Sequence, residues 1–218
     1  MKRRRQWAIG FLGFLISVSG CASLTEPVLK PGIREDLSGC YTPFPAKSWK
    51  AVHQIEAVIQ ERISSSLIGI TEGEPSEQKI HSLLLTPEGF ILFEAELREG
   101  ALSVSKAMPP FDSPAFARGL IEDVALLFLA PQPLPSGWKR GEDGTWTCRW
   151  GRPGEARTEV HGSMEQGWKI LRRNDQGVLT REVFLNGPFV RGVASHMDLR
   201  AFGPAGYKLK MNLLQADF

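Results

Sequence analysis

The sequence predicts a mainly β domain with one main helix: a strongly curved antiparallel sheet, or incomplete barrel, of about nine to eleven strands under a helical lid. Three observations carry this. Most of the chain from residue 55 onward alternates apolar and polar residues with period two and is punctuated by Gly, Pro, Asn and Asp. One stretch, residues 116–129, is apolar nearly all round, with Gly119 its only breaker. No crossover helices separate the strands, so many half-polar strands in meander order need strong curvature or closure to bury one face.

The chain opens on Lys2, Arg3, Arg4 and Arg5, an apolar run over residues 7–18, and Val18-Ser19-Gly20-Cys21. A basic start, an apolar run too short to span a bilayer and small residues at the end read as a secretory leader over residues 1–20. An aliphatic residue, two small residues and Cys resemble the lipobox of bacterial lipoproteins. That resemblance implies that Cys21 becomes an acylated N-terminus, held to a membrane by several chains. An ordinary signal peptide with an incidental Cys is the alternative. The leader holds four of the 26 Lys and Arg and none of the 24 Asp and Glu, so the net charge of +2 becomes about −2 without it. A basic, nucleic-acid-binding role loses its support. Export also makes a Cys40–Cys148 disulfide an open option, two buried thiols being the other.

Residues 21–45 carry four prolines, Gly32 and Gly39 without sustained apolar periodicity, and read as a lipidated tether ahead of a single domain over 46–218. Ile55, Ala57, Ile59 and Ile63 share one parity against Glu56, Gln60 and Arg62, which argues a strand; a helix over 49–61 competes, and β-branched content decides for the strand. The run continues to residue 70 and breaks at Glu72-Gly73-Glu74-Pro75. A short strand covers 80–85. Ile91, Phe93, Ala95 and Leu97 alternate with Glu94 and Glu96, turn at Arg98-Glu99-Gly100 and return through Leu102 and Val104, the clearest hairpin in the chain. The helix over 114–129 has Ser113 placed to cap, Pro114 in its first turn and Pro131 beyond its end. Leu120, Ile121, Val124, Leu127 and Phe128 form one face, and Ala125, Leu126 and Leu129 extend the apolar surface beyond it. After a loop, with residues 137–144 read as turns, strands return: Trp146, Cys148 and Trp150 on one face, weaker strands over 158–164, 168–172 and 179–185, then 193–200 and 207–213.

A lipobox, a Pro-rich tether, early strands, one apolar helix after Pro109-Pro110-Phe111-Asp112-Ser113-Pro114, then strands to the C-terminus together resemble the LolA/LolB-like fold. The stretch from Leu84-Leu85-Thr86-Pro87-Glu88-Gly89 through Leu126-Leu127-Phe128-Leu129-Ala130-Pro131 further resembles a LolB-like branch of uncharacterised lipoproteins, some of them encoded beside lipid-like polyene biosynthesis genes. In that family an incomplete antiparallel barrel with a helical lid holds the acyl chains of lipoproteins bound for the outer membrane. The resemblance implies an outer-membrane, periplasm-facing, monomeric lipoprotein with an acyl-binding cavity. Ala22 fits this sorting by resemblance, since in lipoproteins of Gram-negative bacteria an Asp after the lipidated Cys is the usual inner-membrane retention signal. The candidate cavity and lid residues are Phe93, Ala95, Leu120, Val124, Leu127 and Phe128, with Trp146 and Trp150 either lining the cavity or filling core. Leu126 and Leu129 anchor the helix elsewhere. Phe90 and Phe111 are the candidates for the exposed apolar loop of LolB relatives.

Chemistry finds little foothold. His53, His81, His161 and His196 lack ligand spacing for zinc, and no Gly-x-Ser-x-Gly elbow or phosphate-loop context exists. Glu94 and Glu96 fit a solvated strand face better than a catalytic pair. The expectation is therefore a cofactor-free, non-catalytic carrier of acyl chains. A structural accessory lipoprotein of an envelope complex, with a filled core and protein partners, is the alternative.

Overall fold

A computed structural model of the protein describes residues 37–59, 62–152, 154–203 and 206–218. Cys21, the leader and most of the tether lie outside the described residues. The described chain forms one antiparallel sheet of 12 strands in the order β5-β4-β3-β2-β1-β12-β11-β10-β9-β8-β7-β6. The strands are β1 (Trp49–Ile59), β2 (Arg62–Glu74), β3 (Lys79–Leu85), β4 (Ile91–Arg98), β5 (Ala101–Ala107), β6 (Gly137–Arg140), β7 (Trp146–Trp150), β8 (Arg157–Ser163), β9 (Gly167–Arg173), β10 (Leu179–Val190), β11 (Val193–Ala201) and β12 (Tyr207–Asp217). A short helix α1 (Ser38–Tyr41) precedes them, and α2 (Pro114–Phe128) lies between β5 and β6. The only non-sequential pairing joins β1 to β12, so two meanders meet at the chain's first and last strands, and the sheet stays open with β5 and β6 at its edges.

Period two turns alternate residues inward. Trp49, Ala51, His53 and Ala57 are buried on β1, Ile80, Ser82 and Leu84 on β3, and Val193, Met197 and Leu199 on β11. The outer face carries charge: Lys50 meets Glu72 at 2.7 Å, Lys169 meets Glu182 at 2.6 Å, and His81 meets Glu94 at 3.2 Å. Glu96 lies 3.8 Å from Lys79 and 3.7 Å from Arg98, so the two β4 carboxylates sit in a partly exposed ion-pair ladder, a kind of contact that adds little stability.

Several sequence expectations need correction. The described residues form 12 strands where about nine to eleven were expected. One addition comes from the run over 55–70, which is two strands: Ile59 pairs with Arg62, a reversal with no Gly, Pro, Asn or Asp to mark it. β2 also runs on through Glu72-Gly73-Glu74, because the Trp49 ring lies where a Cβ on Gly73 would stand; the glycine makes room for a neighbour instead of a turn. The other addition is β6, within the stretch read as turns. It is a four-residue edge strand whose Trp138 pairs across to Cys148, with Lys139 and Arg140 blunting the edge.

Residues 37–44, assigned to the tether from sequence, pack on the fold. Leu37, Cys40 and Phe44 are buried, and α1 packs on β7. Gly39 lets this happen, because the indole of Trp146 occupies the space of a Cβ there. Cys40 and Cys148 are disulfide-bonded across 108 residues with their Cα atoms 5.7 Å apart. At the start of α2, Ser113 occupies the cap position without a side-chain cap hydrogen bond, leaving Pro114 as the local helix-start device.

The apolar cavity beneath helix α2

The inner face of the sheet is not uniform. On β8, β9 and β10 it carries Val160, Trp168, Ile170, Val183 and Leu185, all buried and closely packed. On β1 to β4 it carries Ala57, Gly69, Thr71, Ser82 and Ala95. Small side chains cannot reach the helix above them. α2 packs on β3, β4 and β5 and roofs this half, leaving an apolar cavity of about 310 Å³. Its floor is Ile55, Ala57, Leu67, Gly69 and Leu84, its roof Leu120, Val124, Leu127 and Phe128. Phe93, Phe111 and Phe116 form an aromatic wall, with Phe111 6.0 Å from Phe93 and 5.6 Å from Phe116. The loop bearing Phe111 is tied to β4 by the Met108 N–H, which donates to the Leu92 carbonyl at 2.9 Å. Beyond the Thr71–Ser82 row the next inward row, Trp49, Ile80 and Leu97, is filled, and the Trp49 ring lies 4.6 Å from that of Phe128, tilted by 41°.

Two polar groups, Asp123 and Tyr207, interrupt this wall on the helix side, backed by Arg181. Asp123, in mid-helix, is buried; its Oδ1 accepts from Arg181 Nε on β10 at 2.6 Å, and its Oδ2 accepts from the Tyr207 hydroxyl on β12. Burial pushes the Asp123 carboxyl above the ordinary carboxylate range, against the opposing pull of Arg181 and Tyr207. Burial, with the Asp123 charge beside it, also raises the Tyr207 phenol, so it stays a donor. Asp123 and Tyr207 line the cavity, while Arg181 lies in a wider polar groove of about 630 Å³ on the other flank of α2. The network is the partition between the two spaces. On the sheet side, His53 is 2 % exposed, and its Nε2 has no hydrogen-bond partner among the described residues. Desolvation lowers its pKa to about 4 and holds the ring neutral at physiological pH.

Of the residues nominated from sequence, Phe93, Leu120, Val124, Leu127 and Phe128 line the cavity. Ala95 is buried beside Ser82, its partner across β3 and β4, and does not line the cavity. Trp146 and Trp150 are not on the cavity at all: β7 is six strands along the sheet from β1, where Trp150 meets Tyr41 at 6.1 Å and Trp146 meets Trp138 at 5.6 Å around the disulfide. Leu126 and Leu129 face the polar groove. Phe90 is 69 % exposed in the β3–β4 turn, whereas Phe111, the other loop candidate, turns inward. Sequence reasoning passed over His53 and Asp123. Each carried a signal: His53 shares the buried parity of β1, and Asp123 is one of two adjacent acids, with Glu122, set among the apolar residues of α2.

This arrangement can enclose a slim apolar ligand and has a partition that pins its roof. No family model matches the chain, and no curated relative does. Among solved structures, a LolA superfamily protein from Nitrosomonas europaea superposes with a TM-score of 0.54 at 8% identity, covering 83% of this chain and 90% of that one. A Vibrio parahaemolyticus domain described as an outer membrane lipoprotein-sorting protein superposes with a TM-score of 0.47 at 9% identity, over 79% of this chain and 85% of that one. The fold is LolA-like: an unclosed antiparallel barrel with one main helix on its concave side.

Proposed function

We propose that this chain is a lipid-anchored, periplasm-facing carrier that holds an acyl chain of a lipid or lipoprotein in the cavity beneath α2, without catalysis. The observation that carries the reading is the hollow itself. A core with only a structural task fills its volume, because unfilled apolar space costs stability. Here the short side chains of Ala57, Gly69, Thr71 and Ser82 leave about 310 Å³ open under an apolar roof, at the lower end of the range for small-ligand sites, which suits one slim chain. Anchoring at Cys21 and location at the outer membrane rest on the lipobox and Ala22. In this reading the chain acts as a monomer, and the acyl ligand is its partner.

Val124 tests the reading, being half-buried on the roof and aimed at the cavity. Val124→Asp in a ligand-sized space keeps its carboxylate partly hydrated. The variant is expected to stay folded in thermal unfolding and to lose binding of a fluorescent fatty-acid probe. In a filled core the same change buries an unpaired charge and costs several kcal/mol. A folded Val124→Asp that binds the probe as well as wild type removes the carrier reading.

A further inference from the structure

We propose that the His53 end of the cavity recognises one uncharged oxygen of the cargo, the carbonyl of an acyl ester or amide, so that the protein selects acylated molecules over free fatty-acid anions. This deepens the carrier reading and rests on it.

The polar groups of the sheet-side wall gather in one place. His53 pairs with Gly69 across β1 and β2, and Thr71 pairs with Ser82 across β2 and β3 one inward row further on. His53, Thr71 and Ser82 are all buried and all line the cavity, whereas the floor beyond them is hydrocarbon. The filled row of Trp49, Ile80 and Leu97 closes this end, and Phe128 lies 5.6 Å from the His53 ring, so a chain lying in the cavity brings one terminus to these groups.

Three physical points define what belongs there. An unpartnered buried imidazole nitrogen carries an unrelieved desolvation cost, and Nε2–H donating to a ligand oxygen relieves it. The Thr71 and Ser82 hydroxyls also donate, so the three groups suit an acceptor. A charged carboxylate does not suit, because burial keeps the imidazole neutral and offers the anion no cation. No Arg or Lys lines the cavity among the described residues; Arg181 is engaged by Asp123 at 2.6 Å and faces the groove on the other flank of the helix, while Asp123 itself presents acid to the cavity. An ester or amide oxygen meets all three conditions, and the hydrocarbon floor takes the chain attached to it.

The test uses the full chain with diphenylhexatriene, a pure hydrocarbon, as the fluorescent probe, displaced by dodecane, methyl undecanoate or undecanoate at pH 8. Relative to wild type, His53→Leu is expected to bind methyl undecanoate about fivefold more weakly while keeping its affinity for probe and dodecane, the loss of one net hydrogen bond. Thr71→Val with Ser82→Ala is expected to move the ester in the same direction and decides the matter should His53→Leu fail to fold. Ester affinity unchanged in both variants overturns the proposal, as does undecanoate anion binding wild type more tightly than its ester. Failure of wild type to bind probe and dodecane at all is a separate outcome, and removes the carrier reading along with this one.

Discussion

At the scale of single residues, His53 links the cavity to acid sensitivity. Its folded-state pKa of about 4 lies below the ordinary 6.5, so between these values the unfolded chain binds more protons than the folded one. The stability contributed by the neutral, buried ring is fully present above pH 6.5 and is lost as pH falls toward 4. By linkage the loss between pH 7 and pH 5 is about 2 kcal/mol. Glu159 acts lower down. Its carboxyl, hydrogen-bonded to His161 and held by Arg149 at 2.8 Å, is depressed to about 2, so its contribution fades only below pH 4.5. The difference between wild type and His53→Leu in urea unfolding at pH 7 and pH 5 therefore reads His53: the variant is expected to lose about 2 kcal/mol less than wild type over that interval. Equal losses would contradict the neutral buried imidazole. Neither residue shows its role in sequence, because a titrating group acquires its pKa from neighbours brought together by strand pairing.

At the scale of elements, α2 was legible and its fastening was not. The bounds 114–129 follow from Pro114, the breaker-free run and Pro131, and the helix spans Pro114–Phe128. What pins it is Asp123, whose partners Arg181 and Tyr207 lie 58 and 84 residues away, a separation no local pattern encodes. Truncating one member of a buried charged network leaves the others unpaired. Asp123→Ala is thus expected to lower stability by about 3 kcal/mol, a figure at the low end because Arg181 keeps partial exposure. Replacing the network as a unit, Asp123→Leu with Arg181→Met and Tyr207→Phe, is expected to recover most of that loss. Guanidinium unfolding midpoints measure both. An Asp123→Ala variant as stable as wild type would show that the helix is held by apolar packing alone. The strands were legible where turns announce themselves, as at Glu99-Gly100. The pattern misled at the unmarked β1–β2 reversal and at Gly73, where the glycine answers to an indole from another strand.

At the scale of the whole molecule, a mainly β chain with one helix and no crossovers leaves few ways to bury the inner face, which is why curvature and an open barrel were readable in advance. The hollow was readable only in part. Five roof and wall residues were found from the surplus apolar surface of α2 and the β4 alternation. The two tryptophans of β7 were drawn in by size, although strand order places them around the disulfide in the filled half. Where the sheet is hollow depends on which small residues face one another across β1 to β4, a property of register and not of any one strand. The hollow is also the central claim, and native mass spectrometry of the full chain purified from its envelope tests it most directly, read beside a denaturing spectrum of the same sample. The expected result is a native mass exceeding the denatured mass by one acyl-bearing molecule, with the denatured mass itself carrying the covalent lipid of Cys21. Native and denatured masses that agree, from a protein that also takes up no added acyl ligand, would contradict the account.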